Sequence, residues 1–128
     1  MTVHVVDGLQ LRVDRGPNWL FVKLRPGDNP GAITPPKMAD ELWSISSRHF
    51  IYRLVLEMDE FETLPTGMMG QLVLLQKRLA QCGGALKICG LSPECAEVLH
   101  DCHLDAALPN HATRVDAVKG YDTVGIHL

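Results

Sequence analysis

The residues best suited to chemistry lie where a predicted strand passes into a predicted helix. Thr66 stands at the start of that helix and follows four carboxylates within six residues: Glu57, Asp59, Glu60 and Glu62. The free amide groups and the positive dipole end of a helix N-terminus favour a phosphate group there. A hydroxyl in this position serves as a helix cap or as a phosphorylation site, whereas each acid taken alone is typical of a solvated turn.

A second cluster of reactive side chains lies further along the chain. Four cysteines fall within 21 residues, and two histidines are close to them: Cys82, Cys89, Cys95, Cys102, His100 and His103. Their spacings of seven, six and seven lack the close Cys-x-x-Cys pair of a zinc knuckle. We therefore expect reduced thiols and no metal, with Cys89 in a buried strand and the other cysteines in small gaps beside helices.

The familiar catalytic motifs are missing. The sequence contains no G-x-G-x-x-G, no G-x-x-x-x-G-K-S/T and no G-x-S-x-G spacing, and its six histidines are scattered. These absences favour a protein that is not an enzyme and that needs no cofactor.

Composition points to one globular domain. The chain has 128 residues, of which 46% are hydrophobic and 21% are charged, and its net charge is -3. A net negative chain without a basic run is a poor binder of nucleic acid. The N-terminus lacks the pattern of a secretory signal, and no apolar run is long enough to span a membrane. We expect a cytoplasmic protein that contacts neither nucleic acid nor membrane.

The first forty residues predict a hairpin. Residues 9–14 and 19–24 alternate in polarity, and the turn formers in residues 15–18 join them into an antiparallel pair. Residues 25–33 have no apolar period and are rich in glycine and proline, which indicates a surface loop.

A helix is expected next. Thr34 stands before Pro35-Pro36, which is typical of a capped helix start. One helical stripe follows and ends near residues 46–49: Met38, Leu42 and Ile45.

The remaining elements alternate between strand and helix. Residues 50–58 predict a central strand, and residues 66–82 predict a helix that Gly83-Gly84 ends. Residues 85–91 predict a strand, and Ser92-Pro93-Glu94 opens a helix through residues 96–104.

A short strand over residues 108–112 and a last helix over 114–119, capped by Thr113, complete the order. This order indicates an α/β fold, a mixed sheet with an N-terminal hairpin and parallel strands, with helices packed on the sheet. The expected core includes eight residues: Leu54, Val55, Leu56, Leu72, Leu75, Leu79, Leu86 and Ile88.

From Leu54 to Pro93 the chain resembles the STAS domain of bacterial anti-sigma factor antagonists. That family has a hydrophobic strand, then Asp-Ser-Ser/Thr-Gly-Leu-Gly, a helix ending Lys-x-x-x-x-x-Gly-Gly, a strand and Ser-Pro. Alignment on Lys77, Gly83-Gly84 and Ser92-Pro93 places Thr66 on the family's phosphorylated serine, and the match is best over residues 50–119.

The motif itself departs from the family. Pro65 stands where the family has aspartate, and only the hydroxyl of Thr66 and the last glycine, Gly70, are kept. A slip of one residue would instead place Pro65 on the acceptor position.

The resemblance implies a single STAS-like domain over residues 1–128. Such a domain is a switch that binds a kinase-type anti-sigma factor or a related switch protein, with Thr66 as the candidate phosphoacceptor. The expected partner-binding surface is the strand-to-helix turn: Glu60, Glu62, Thr63, Leu64, Pro65, Thr66, Gly67, Met68, Met69 and Gly70.

Several points about this turn stay open. Met68 and Met69 belong either to the contact surface or to the core, and Thr63 competes as a mere helix cap. A phosphate would be repelled by the nearby acids and would block a close protein contact. The alternatives are a scaffold that works without phosphorylation, a small-ligand or nucleotide-binding domain, and, last, thiol or zinc chemistry at the cysteines.

Overall fold

A computed structural model describes residues 2–6, 9–26, 37–64, 67–104 and 106–118, and of residues 2–6 the backbone alone. The strands are β1 (Thr2–Val6), β2 (Leu9–Arg15), β3 (Leu20–Pro26), β4 (Arg53–Glu57), β5 (Ala85–Cys89) and β6 (Asn110–His111). The helices are α1 (Met38–His49), α2 (Met68–Gln81) and α3 (Pro93–Asp101), and residues 114–118 are also helical.

The strands form one mixed sheet in the order β1-β2-β3-β4-β5-β6. Antiparallel pairing joins β1 to β2 and β2 to β3, and parallel pairing joins β3 to β4, β4 to β5 and β5 to β6. The predicted hairpin is confirmed as β2–β3, and the Gly16 amide donates to the Trp19 carbonyl oxygen at 2.8 Å in its turn. The predicted α/β class is therefore confirmed.

Burial alternates along β2 and β3, whereas β4 and the end of β5 are buried on both faces of the sheet. One face packs against α1, α2 and α3 and forms the main core, to which Leu54, Leu56 and Ile88 contribute. The opposite face carries a smaller cluster around Val55. All eight residues predicted for the core are buried. Five of them lie in β4 and β5, inside the sheet, and the three leucines of α2 face the main core.

Strands β1 and β4 differ from the sequence-based expectation. Strand β1 was not predicted, although each of its five residues pairs with a residue of β2, from Leu9 to Val13. Phe50 was predicted in a strand, but it follows the end of α1 in the left-handed conformation, with φ 55°, and is 84% exposed. The amides of Phe50 and Ile51 donate to the carbonyl oxygens of Ser47 and Ser46, so capping hydrogen bonds hold this segment out of the sheet.

The predicted helix starts have different outcomes. Ser92 caps α3 by accepting a hydrogen bond from the Cys95 amide, as expected. Thr113 accepts one from the Asp116 amide at 3.3 Å and caps residues 114–118. The cap expected at residues 34–36 lies outside the described residues, as does most of the loop over 25–33.

Helix α1 begins at Met38, and its ending near residues 46–49 is confirmed. The Ala39 amide donates to the side-chain oxygen of Gln71 at 2.9 Å, so α2 supplies a hydrogen-bond acceptor to the first turn of α1. Helix α3 stops at Asp101 rather than running on to residue 104, because His103 adopts a left-handed φ of 58°.

The four cysteines are free thiols. Cys89 and Cys95 are buried, whereas Cys82 and Cys102 are exposed, so the expectation that both fill gaps beside helices is wrong. Both follow the last residue of a helix, where the chain turns outward. Among the described residues no three His, Cys, Asp or Glu side chains are placed to hold a metal ion. No helix in the same part of the chain is long and apolar enough to cross a membrane.

Candidate functional site

The candidate site lies at the edge of the sheet where the parallel strands end. The chain leaves β4 at Glu57 and enters α2 at Met68, and the neighbouring connection runs from β5 into α3. Pro65 and the predicted phosphoacceptor Thr66 lie outside the described residues. The described site therefore consists of the loop over residues 58–64, called the site loop below, and the first turns of α2.

The site loop starts as a tight turn against β5. The Met58 amide donates to the Cys89 carbonyl oxygen at 2.9 Å, and the Phe61 amide donates to the Met58 carbonyl oxygen at 3.2 Å. Met58 is fully buried and Phe61 is 5% exposed, so both side chains anchor the loop in the main core. These contacts fix the direction in which the chain leaves the sheet.

The start of α3 holds the far side of the same loop. The Ser92 hydroxyl donates to the Glu62 carbonyl oxygen at 3.1 Å while it accepts from the Cys95 amide at 3.2 Å. The Cys95 thiol lies 3.6 Å from the same Glu62 oxygen and 3.9 Å from that of Phe61. The Ser-Pro signal predicted the cap, but nothing local in the sequence predicted that its hydroxyl also braces the site loop.

Most of the acidic side chains near the site have cationic partners. Lys23 lies 3.2 Å from Asp59 and 3.7 Å from Glu60, and Arg25 lies 4.0 Å from Glu60. The hydrogen bond that Lys23 donates to Asp59 raises the pKa of the Lys23 ammonium. These cations come from β3, beside β4 in the sheet, so their separation in sequence concealed the pairing.

Glu57 is also engaged, since both of its carboxylate oxygens accept from Arg114. Glu62 is exposed and has no ion pair within the part of the chain that the structure describes. Asp59, Glu60 and Glu62 are exposed, as expected of a solvated turn, and Glu62 is the one of the three without an ion pair among the described residues.

Two glycines mark the entry into α2. Gly67 precedes the helix with φ 84°, a left-handed conformation that glycine adopts without strain, and it provides no side-chain cap. Thr63 is exposed and does not occupy the cap position, so the competing alternative that it serves as the helix cap is wrong.

Gly70 lies in the first turn of α2 and is exposed. A methyl group added there would meet no described atom within 4 Å, and its φ is not positive. Alanine in an exposed helix is about 0.5–1 kcal/mol more favourable than glycine. Nothing in the described chain requires glycine at position 70. The absence of a side chain there leaves the helix backbone open to close approach by another molecule.

The two methionines differ. Met68 is fully buried in the main core, so the expectation that its side chain belongs to an exposed apolar contact is wrong, because its position matches the core stripe of α2. Met69 is half-buried, as is Leu64 in the site loop. The sequence analysis missed Leu74, which is 54% exposed. Gly67, Gly70 and Leu74 are three and four residues apart, so they lie on one outward face of the helix. This spacing was a signal that the sequence contained.

Comparison with known proteins shows which solved structures share this fold. No protein-family model and no curated protein matches the sequence. RsbS of Moorella thermoacetica, in a singly substituted form, is 13% identical; the match covers 91% of this chain and 97% of that chain, with a TM-score of 0.72. An anti-sigma factor antagonist from Mycobacterium paratuberculosis is 18% identical, with 89% and 94% covered and a TM-score of 0.71.

A STAS domain protein from Planctomyces limnophilus is 19% identical. That match covers 88% of this chain and 97% of the other chain, with a TM-score of 0.60. The chain thus has the STAS fold, and the fold expected from the sequence resemblance is confirmed.

Proposed function

We propose that this chain, which has the STAS fold, is a non-enzymatic protein-binding module that works by partner switching. Its partner is a kinase-type anti-sigma factor or a related switch protein. The partner binds the outer side of the β4-to-α2 turn, where Glu62, Thr63, Gly67, Gly70 and Leu74 are exposed. Phosphorylation of Thr66 ends the binding.

The observation that carries this proposal is the combination of Gly70 and Leu74 on one face of α2. A glycine that the chain itself does not require removes a side chain from the surface, so partner atoms can reach the helix backbone. Leu74, about two turns beyond Gly67 on the same face, adds apolar area that is more than half exposed. An exposed leucine beside bare backbone is the kind of surface that a close protein contact covers.

The charges of the site indicate how a phosphate would act. A phosphate adds a charge of about -1.5 to -2. Because Asp59 and Glu60 are paired with Lys23, they repel a phosphate less than free carboxylates would, and the N-terminus of α2 stabilises an anion. The modified domain should therefore stay folded, while the partner meets a solvated dianion that it must dehydrate.

The names of similar structures fit this proposal. The similar structures include SpoIIAA, an anti-sigma factor antagonist in its unphosphorylated form, and a component of the stressosome, a signal integration and transduction hub. Cytoplasmic location and bacterial transcription control belong to the same proposal.

The binding surface is tested by substitution on α2. We would titrate the chain with the kinase-type anti-sigma factor encoded beside its gene, or with the ATPase-type kinase that co-purifies with it. Gly70→Arg should weaken binding at least tenfold, whereas Gln81→Arg, which places the same side chain on the exposed last residue of α2, should not change it. Equal affinities of both variants and the unsubstituted chain would contradict the proposed surface.

A further inference from the structure

The helical residues 114–118, called the strap below, cover the face of the sheet opposite α1, α2 and α3. Ala117 and Val118 of the strap pack with Val55 and Cys89 of the sheet and with Trp19, which directly precedes β3. These five residues form a cluster of their own, separate from the main core on the other face. Removal of the strap would therefore uncover this cluster and leave the packing of the main core in place.

One arginine fastens the strap across three strands. Arg114 Nε and Nη2 donate to the two oxygens of Glu57 at 2.9 Å and 2.7 Å, and Nη2 lies 3.4 Å from Asp14 Oδ2. The guanidinium carbon also lies 4.6 Å from the centre of the Phe21 ring. Asp14, Phe21 and Glu57 belong to β2, β3 and β4, so a single side chain ties the strap to half of the sheet.

Within residues 114–118, the apolar part of this attachment is small. Ala117 is fully buried and Val118 is 8% exposed, whereas Val115 is 64% exposed. The other direct fastening is polar, since Lys87 Nζ donates to the Ala117 carbonyl oxygen at 2.8 Å. A segment with few buried apolar contacts opens at a lower free energy than the core does. A bidentate arginine–carboxylate pair is stronger than two neutral hydrogen bonds, so Arg114 contributes a large share of what holds the strap.

We propose that the strap opens while the sheet and helices α1, α2 and α3 stay folded, and that Arg114 is the latch that sets how often it opens. Opening exposes Trp19 and Cys89 to solvent and releases Glu57, the last residue of β4. The strap is thus a conformational device on the side of the sheet that the proposed partner does not occupy.

Two buried thiols report this opening independently of any partner. Cys89 lies under the strap, is 3% exposed, and has its pKa raised to about 11 by burial and by the nearby Glu57 and Asp59 charges. Cys95 is fully buried on the other side of the sheet, beneath the site loop. Alkylation of Cys89 therefore requires strap opening, whereas alkylation of Cys95 requires opening of the loop or of the whole domain.

The experiment measures iodoacetamide alkylation of both thiols at pH 8 by mass spectrometry of digested full-length chain. Cys82→Ser and Cys102→Ser remove the exposed thiols. We expect Cys89 to react faster than Cys95. Arg114→Ala removes the hydrogen bonds to Glu57 and Asp14, and since the loss of one charge-assisted hydrogen bond is worth about tenfold, it should raise the Cys89 rate at least tenfold without changing the Cys95 rate.

Three further variants complete the test. Glu57→Gln, which weakens the latch from the sheet side, should also speed Cys89 alone. Arg114→Lys, which keeps the charge and loses the bidentate geometry, should give an intermediate rate. Arg78→Ala removes an arginine bonded to Asp40 at 3.0 Å and stacked 4.5 Å from the Trp43 ring, far from the strap, and should leave Cys89 unchanged.

Three outcomes overturn the proposal. Equal acceleration of Cys89 and Cys95 in Arg114→Ala would mean that the whole domain opens. An unchanged Cys89 rate in both latch variants would mean that Arg114 does not control the strap. A Cys89 rate no faster than that of Cys95 in the starting chain would mean that the strap does not open by itself.

Discussion

The Ser92 hydroxyl donates a hydrogen bond of 3.1 Å to the carbonyl oxygen of Glu62. This bond joins the first residue before α3 to the site loop, while the same oxygen atom of Ser92 caps the helix by accepting from the Cys95 amide. The shape of the candidate site is thus set in part by a residue from the next β-to-α connection.

Replacement of Ser92 tests this double role. Ser92→Ala removes a helix cap and leaves the Glu62 carbonyl with one donor fewer, so the free energy of unfolding should fall by about 1–2 kcal/mol. Ser44→Ala, on the exposed face of α1, should change it by less than about 0.5 kcal/mol. Urea unfolding followed by circular dichroism gives both values, and equal effects of the two substitutions would show that Ser92 holds nothing in place.

A second prediction concerns the left-handed residue after α1. Phe50 has φ 55° and is 84% exposed, so its side chain gains little from burial while its backbone is strained. Phe50→Gly should raise the free energy of unfolding by about 1 kcal/mol. Gly83→Ala, at φ 73° with open space around its Cα, should lower it by a similar amount. Thermal unfolding of both variants checks the opposite signs, and a destabilised Phe50→Gly would show that the ring makes a contact that matters.

The third prediction follows from the raised pKa of Cys89. The thiol of an unfolded chain ionises near its ordinary value of 9.0, while the folded thiol stays protonated until about 11. The stabilising difference is therefore complete below pH 9 and is lost as the pH rises through this window, with about 1 kcal/mol lost between pH 8 and pH 10.

Cys89→Ala removes this dependence. The difference in free energy of unfolding between the unsubstituted chain and Cys89→Ala should shrink by about 1 kcal/mol from pH 8 to pH 10, measured by urea unfolding with reductant present. A difference that is the same at both pH values would contradict the raised pKa.

The sequence was most informative where structure is decided locally. The run around Leu54 to Leu56 predicted a strand buried on both faces, and the spacing of Leu72, Leu75 and Leu79 predicted α2, because burial imposes these periods on the residues themselves. Ser92 and Thr113 also indicated where their helices start, because a helix cap is a local interaction: its side chain accepts from the amide three residues further along.

Other features depend on residues far apart in the chain. The pairing of Lys23 with Asp59 needs β3 and β4 side by side, and the bond from the Ala39 amide to Gln71 needs α1 beside α2. Phe50 escaped prediction because its type favours a strand, whereas capping bonds to α1 decide its backbone. The burial of Met68 could have been read from its spacing to Leu72 and Leu75.

The most direct test of the proposed switch uses Thr66. The unsubstituted chain, Thr66→Ala and Thr66→Glu are incubated with the kinase-type partner and ATP, phosphate is located by mass spectrometry, and partner affinity is measured by titration. We predict phosphate on Thr66 of the unsubstituted chain alone, retained binding by Thr66→Ala, and binding by Thr66→Glu weakened at least tenfold. Absence of phosphate at Thr66 together with unchanged binding by Thr66→Glu would contradict the switch and favour a scaffold that works without phosphorylation.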